Sequence, residues 1–147
     1  MKLSVVLSTR NEEENIGRCL TSVKDFADEM IIVDEQSSDR TREIARDLGA
    51  KVYIEPHEEI FHITKQKAMD KAKGEWILQM DADEEVSEEL AKEIVSVINS
   101  DEQKMTRNRL FLRHQRLIEE RGGKIGKENG YIVGYLIPRR KIIITKP

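Results

Sequence analysis

Asp81 and Asp83 stand two residues apart in the stretch WILQMDADEE, where an apolar run stops at four carboxylates in five positions. Like charges this close repel, so a fold that gathers them must supply compensation. In an extended segment, residues i and i+2 point to the same side. The spacing therefore predicts two carboxylates converging on one cation, with Ala82 leaving the approach narrow and open. Oxygen ligands of this kind suit Mg2+ or Mn2+, ions that keep water and recruit substrate phosphates. A divalent metal carrying a diphosphate would neutralise the cluster. Glu84, Glu85, Glu88 and Glu89 have a plainer explanation, because acidic residues in the first turn of a helix gain about 0.3–1 kcal/mol each.

Two further polar clusters follow apolar runs: Ser8-Thr9-Arg10-Asn11-Glu12 and Asp34-Glu35-Gln36-Ser37-Ser38. In open α/β sheets, ligands bind outside the carboxyl ends of the strands. All three clusters would then lie along one edge. Asp34 and Glu35 serve equally well as turn residues or as partners of a base or ribose. Lys65 and Lys67 are by default solvated helix charges, but Lys65 near a diphosphate would be a counter-charge. Cys19 falls on an apolar helix face and belongs to a core. His57 and His62 flank Phe61 without the spacing of a zinc site. Gly126-Lys127 is followed by Glu128, not Ser or Thr, which rules out a P-loop.

These residues need elements to position them. Lys2–Leu7, Met30–Val33, Lys51–Ile54 and Glu75–Met80 are short apolar or β-branched runs and predict strands. Between them, Ile16, Cys19, Leu20 and Val23 recur at helical spacing, with Asn11 as cap and Glu14 completing a capping box. Ser37, Ser38 and Asp39 offer cap oxygens to a second helix, whose face carries Thr41, Ile44, Ala45 and Leu48 and which Gly49 ends. A helix around Ile63–Ala72 closes at Gly74. Ser87 starts another, with Leu90, Ile94, Val97 and Ile98 on one face. The alternation predicts an α/β layered fold with a mainly parallel sheet.

The chain has 147 residues and a net charge of −3 that hides an asymmetry. Residues 1–103 carry 13 Lys and Arg against 25 Asp and Glu, a net of −12; residues 104–147 carry 12 against 3, a net of +9. The boundary predicts two regions: an α/β region over 1–103, and over 104–147 a basic helix at Glu102–Arg121, a glycine-rich turn and strands at Tyr131–Ile137 and Lys141–Thr145. A basic tail suits phosphate groups, the acidic body of the same protein, or an anionic membrane surface. A single cysteine excludes an internal disulfide and fits a reducing compartment. A cytoplasmic chain, peripheral on the inner face of a membrane if the tail binds lipid, is the expectation; no nucleic-acid partner is expected.

The stretches SVVLSTRNEEENIGRCLTSV, ADEMIIVDEQSSDRTREIARDLGAKV and AKGEWILQMDADEEVSEEL, in that order, resemble the family 2 glycosyltransferases of GT-A fold. The branch most similar includes the lipopolysaccharide-core glucosyltransferases. The resemblance runs from about Lys2 to Leu90 and is fainter at NGYIVGYLIPRR. It implies a Rossmann-like GT-A fold and transfer of a sugar, with inversion, from a nucleotide diphosphate donor to an acceptor hydroxyl on a glycan or lipid-linked molecule, in cell-envelope or lipopolysaccharide synthesis. Thr9, Arg10, Asn11 and Glu12 would hold the base, partly through backbone groups. Asp34 and Glu35 would meet base or ribose, and Lys65 the diphosphate. Asp81, Ala82 and Asp83 would form the donor and metal site, with Mg2+ or Mn2+ on the two aspartates.

The chain departs from that pattern. Gln36 replaces a glycine in the second motif, which bears on the tightness of the turn, and Gln66 stands where the family often has Asn. The family continues past IPRR into the acceptor-side loop where the catalytic base usually lies. Glu119, Glu120 and Glu128 are the only acids after residue 103, and none makes a convincing base. The expectation is an incomplete acceptor side, with a truncated, non-catalytic nucleotide-sugar-binding module as the alternative function. A haloacid-dehalogenase-type phosphatase places its Asp-x-Asp after the first strand, not the fourth.

Overall fold

The computed structural model describes residues 1–57 and 59–99, together with the backbone of 127–128 and 131–132. Strand β1 (Leu3–Thr9) and strand β2 (Glu29–Asp34) are buried along their whole length. Such continuous burial requires layers on both faces of a parallel sheet. Strands β3 (Lys51–Ile54) and β4 (Trp76–Met80) complete it in the order β3-β2-β1-β4, all parallel. Strand β3 falls on its expected bounds, while β1 and β2 run on to Thr9 and Asp34 and deliver those side chains to the carboxyl edge.

Register sorts the side chains. Ser4 pairs with Glu29, Ser8 with Val33 and Thr9 with Asp34 across β1 and β2, and Leu7 with Met80 across β1 and β4. Leu3, Val5, Leu7, Met30 and Ile32 face one layer, where helix α1 (Ile16–Val23) adds Ile16, Cys19, Leu20 and Val23 at the expected spacing. Helix α2 (Thr41–Asp47) contributes Ala45, and helix α4 (Glu88–Ile98) adds Ile94 and Ile98. Val6, Ile31 and Val33 face the opposite layer, where helix α3 (Phe61–Asp70) packs Ala68 and Met69 against them. Truncating Leu7 or Ile32 to Ala in a core of this kind costs about 2–5 kcal/mol.

Helix ends show where local sequence was and was not decisive. Ser87 caps α4 as expected, its hydroxyl accepting the Leu90 N–H at 3.2 Å. Asn11 does not cap α1. The helix begins four residues later than a cap at Asn11 would set it, because the Glu12 carbonyl takes the N–H groups of Asn15 and Ile16 in a preceding turn. Asn11 itself has φ 55° and sends its side-chain oxygen to the Ser38 N–H at 2.8 Å. Helix α2 likewise has Arg40 at its cap position without a side-chain cap; Asp39 takes the Thr41 N–H at 3.0 Å, and Ser37 and Ser38 bond elsewhere. Gly49, at φ 86°, ends α2.

The chain divides into two units, Met1–Asn99 and Ser100–Pro147. In the second, β5 (Lys127–Glu128) pairs antiparallel with β6 (Tyr131–Ile132). The basic helix expected at 102–121, the remainder of the strand expected to 137 and the strand expected at 141–145 lie outside the described residues. Among the described residues no helix is long and apolar enough to cross a membrane.

Candidate functional site

The carboxyl edge of the sheet has two sides, and the polar residues divide between them. On the α1 and α2 side, the loop after β1 is laced to the loop after β2. The Asn11 N–H donates to the Ser37 hydroxyl at 2.9 Å, the Glu12 N–H to the Thr41 hydroxyl at 2.7 Å and the Glu13 N–H to Asp39 at 3.1 Å. The Arg40 N–H returns a bond to Glu13 at 2.9 Å. Asp34, fully buried, completes this brace. Its carboxylate accepts the Ser37 N–H at 2.9 Å, the Ser37 hydroxyl at 2.5 Å and the Thr9 hydroxyl at 3.2 Å, with Arg42 Nε 3.6 Å away.

The backbone N–H groups of Asn11 and Glu12 and the carboxylate of Asp34, expected at the nucleoside, brace the two loops against each other. Thr9 is buried and Arg10 exposed. Gln36, in the position of the family's glycine, adopts φ 54°. The tight turn is kept, with a side chain in a conformation that costs roughly 1 kcal/mol.

The other side faces α3. Thr64 and Lys65 are adjacent residues of that helix, and they reach the ends of two different strands. The Thr64 hydroxyl donates to Glu35 Oε1, just past β2, and His57 Nδ1 bonds Glu35 Oε2. Lys65 Nζ lies 2.6 Å from Asp81 Oδ1, just past β4. Between them runs β1, where Ser8 shares the α3 side with Val6 by strand alternation. The Ser8 hydroxyl is the one buried side-chain polar atom among the described residues that lacks a hydrogen-bond partner. Buried polar groups are rarely left so, and each such case asks for an explanation.

Charge at this edge is held in place. Burial works against ionisation of Glu35, but the Thr64 hydroxyl, His57 and then Arg10 outweigh it and lower its pKa. Glu35 therefore stands as a fixed anion with acceptor capacity only. At the end of β4 the expected extended geometry is replaced by a turn: the Glu84 N–H bonds the Asp81 carbonyl at 3.1 Å, and the Asp81 N–H bonds Glu84 Oε2 at 2.9 Å. Asp81 is half-buried, Ala82 buried and Asp83 exposed. The premise that i and i+2 align in a strand therefore does not hold here, because β4 stops at Met80. The negative field of the turn is felt below it. Burial, followed by Glu84, Asp83, Glu85 and Asp81, pushes the Cys19 thiol up to about 12, which makes it an inert core group.

Among the described residues no group of three or more His, Cys, Asp or Glu side chains is arranged to hold a metal. Asp81 and Asp83 still fit Mg2+ or Mn2+ by the chemistry of their donors. Such ions are commonly bound through one or two carboxylates, with substrate phosphates and waters filling the other positions. A groove between α1 and α2, lined by Gly17, Ile44 and Leu48, lies on the other face and holds none of the α3-side groups. Ser8, Thr64 and His57 are site neighbours that sequence reasoning did not select. Only the alternation of β1, which puts Ser8 on the side opposite Leu7 and Thr9, carried a signal.

The family model described as Glycosyl transferase family 2 matches residues 4–107. An uncharacterized glycosyltransferase of Rickettsia bellii is 43% identical over 104 residues, covering 69% of this chain and 34% of its own length. A low-salt glycan biosynthesis hexosyltransferase, Agl6, of Haloferax volcanii is 37% identical over 86 residues, covering 55% and 21%. The chain spans about a third of the length of the first of these and of its Rickettsia counterparts. Among solved structures, S. aureus TarS in complex with UDP superposes with a TM-score of 0.54 at 28% identity, over 67% of this chain and 32% of that one. Glucosyl-3-phosphoglycerate synthase of Mycobacterium tuberculosis, in complex with Mn2+, UDP and glucosyl-3-phosphoglycerate, gives 0.50 at 25% identity, over 55% and 33%.

Proposed function

The chain belongs to glycosyl transferase family 2, and from that premise we propose that its first unit binds the nucleotide diphosphate of a sugar donor on the α3 side of the sheet edge. The observation that carries this is the bridging of two strand ends by consecutive residues, Glu35 by Thr64 and Asp81 by Lys65. On this reading Glu35 meets the base and Lys65 the diphosphate, one on either side of the Ser8 hydroxyl.

Each residue has a role that follows from its chemistry. Glu35, ionised and acceptor-only, favours a base that presents a ring N–H, such as uracil, over cytosine, which presents a lone pair there. Ser8 supplies a hydroxyl already stripped of water, ready to bond the nucleoside. Lys65 places a positive charge at the diphosphate. Asp81 and Asp83 would hold a divalent ion, which would supply Lewis-acid charge to the leaving diphosphate. The reaction is a single inverting displacement by an acceptor hydroxyl of a glycan or lipid-linked sugar, as the resemblance implied. The bound UDP and Mn2+ of the similar structures support this donor chemistry. No acceptor base is assigned among the described residues.

Calorimetry of UDP binding to the chain tests the proposal, with Mn2+ or with EDTA. UDP should bind in the presence of Mn2+ and at least about tenfold more weakly in EDTA, and Asp83→Ala should lose most of that difference while melting like the parent. CDP should bind more weakly than UDP. Equal UDP affinity with and without metal, together with an indifferent Asp83→Ala, would overturn it.

A further inference from the structure

Resting on the donor site just described, we infer that Lys65 is a stand-in cation: its ammonium holds the Asp81 carboxylate until a divalent ion arrives and then turns to the donor's diphosphate, which makes metal and donor bind cooperatively. The pair is close and sheltered, with Nζ 2.6 Å from Oδ1 and side chains 15% and 28% exposed. A divalent ion held by Asp81 would bring a second cation to the carboxylate that Lys65 already pairs, and the two like charges would repel.

Movement of Lys65 requires only its own side chain. Its neighbour Thr64 is fully buried and tied to Glu35, so α3 stays anchored while the ammonium swings. A lysine ammonium is a compact charge on a flexible four-carbon stem, suited to changing partners. The released charge would have a destination in the diphosphate that the same ion would hold. The Asp81 backbone is held by its N–H bond to Glu84, and its Oδ1 also receives Gln79 Nε2 at 3.4 Å.

The consequence is a linkage. With no donor, Lys65 competes with the metal and lowers its affinity. A diphosphate that draws Lys65 away removes the competitor, and by reciprocity the metal strengthens donor binding by the same factor. Free Asp81 would otherwise collect divalent ions continuously; the lysine reserves it for the metal–donor pair.

Mn2+ binding to the 147-residue chain, followed by electron paramagnetic resonance of the free ion, tests this without reference to turnover. Lys65→Met should bind Mn2+ alone about three- to fivefold tighter than the parent, the scale of removing a partly exposed ion pair. The tightening of Mn2+ by saturating UDP should shrink by a similar factor. Lys65→Arg, which keeps the charge, should bind Mn2+ alone more weakly than either neutral variant. Lys65→Gln serves as a second neutral variant if the methionine protein does not melt cooperatively. Mn2+ affinity unchanged or weaker in both neutral variants, or Mn2+ bound by no variant at all, overturns the inference. Tighter Mn2+ in the neutral variants with no UDP binding to any protein overturns the donor site and, with it, the second half of the exchange.

Discussion

At the amino-terminal edge of the sheet, Glu29 receives the Ser4 hydroxyl at 2.6 Å, the Lys73 N–H at 2.7 Å and the Lys51 ammonium at 2.9 Å. Ser4 in turn accepts the Gly74 N–H at 2.7 Å. At the carboxyl edge, Glu35 and Asp81 are held by one α3 residue each, and the Ser8 hydroxyl between them has no partner. The residue types are the same: a buried serine of β1, carboxylates, lysines. What differs is saturation. Every polar group of the lower cluster is answered from within the chain, which makes it a clasp joining β1, β2, β3 and the entry to β4. The upper cluster leaves bonding capacity over, and that remainder is what a ligand would use.

The largest expected effect breaks the clasp. Glu29 is almost wholly buried, and its removal leaves the Ser4 hydroxyl and the Lys73 N–H without their acceptor, while the half-exposed Lys51 ammonium turns to water. Glu29→Ala should lose about 3–5 kcal/mol in urea unfolding, the sum over those two donors. Gly74→Ala should be comparably damaging, because its Cβ would meet the Ser4 nitrogen at 2.6 Å and the Trp76 carbonyl at 2.9 Å. Both should bind UDP within about twofold of the parent in the folded fraction. The clasp also carries a pH signature. Burial opposes the charge of Glu29, but Ser4, Lys51 and Lys73 outweigh it and hold its pKa at about 2, below an ordinary 4.5. A depressed carboxyl contributes stability that is complete above pH 4.5 and lost as pH falls toward 2. Glu29→Gln should therefore show a flatter melting profile between those values. Glu35, lowered in the same direction, leaves a residual slope.

Asp34 and Glu35 sharpen the comparison, because they are neighbours in sequence on opposite sides of the sheet. Asp34→Ala removes the acceptor for Ser37 and Thr9 and should cost about 2–4 kcal/mol in unfolding, with UDP affinity of the folded protein changed by less than about threefold. Glu35→Gln keeps the shape but exchanges one acceptor for a donor. It should weaken UDP at least about tenfold and unfold within about 1 kcal/mol of the parent. The reverse pattern would mean that the two sides of the edge have been assigned wrongly.

Strand existence was legible because buried parallel strands are continuous apolar runs, and LSVVLST and EMIIVD are such runs. Ser87 was legible as a cap because a cap bond spans three residues. Asn11 was misread because a side chain with several possible partners chose Ser38, 27 residues away, over its own helix. The aspartate pair was legible as two carboxylates after a strand but not in its geometry, since nothing in MDADE says where the strand ends and the turn begins. Contacts of Glu35 with His57 and Thr64 span 22 and 29 residues and leave no local pattern. They depend on the register of β2 against β1 and on the placement of α3, which only the folded chain supplies.

The smallest expected effect concerns Thr64. Its hydroxyl and His57 each fix one oxygen of Glu35, so losing either leaves the carboxylate tethered but freer to rotate. A neutral hydroxyl bonding a charged acceptor contributes about 1.5–3 kcal/mol at most, and His57 retains part of the positioning. Thr64→Val, which keeps the buried methyl against the α3 face, should weaken UDP only about three- to fivefold, well short of Glu35→Gln. Thr64→Ser should restore the affinity, because the serine hydroxyl reaches the same oxygen. Preference for UDP over CDP should narrow in Thr64→Val and recover in Thr64→Ser, since a base-reading carboxylate that rotates reads less well. A merely structural role for Thr64 would move the melting temperature of Thr64→Val and leave that preference where it was.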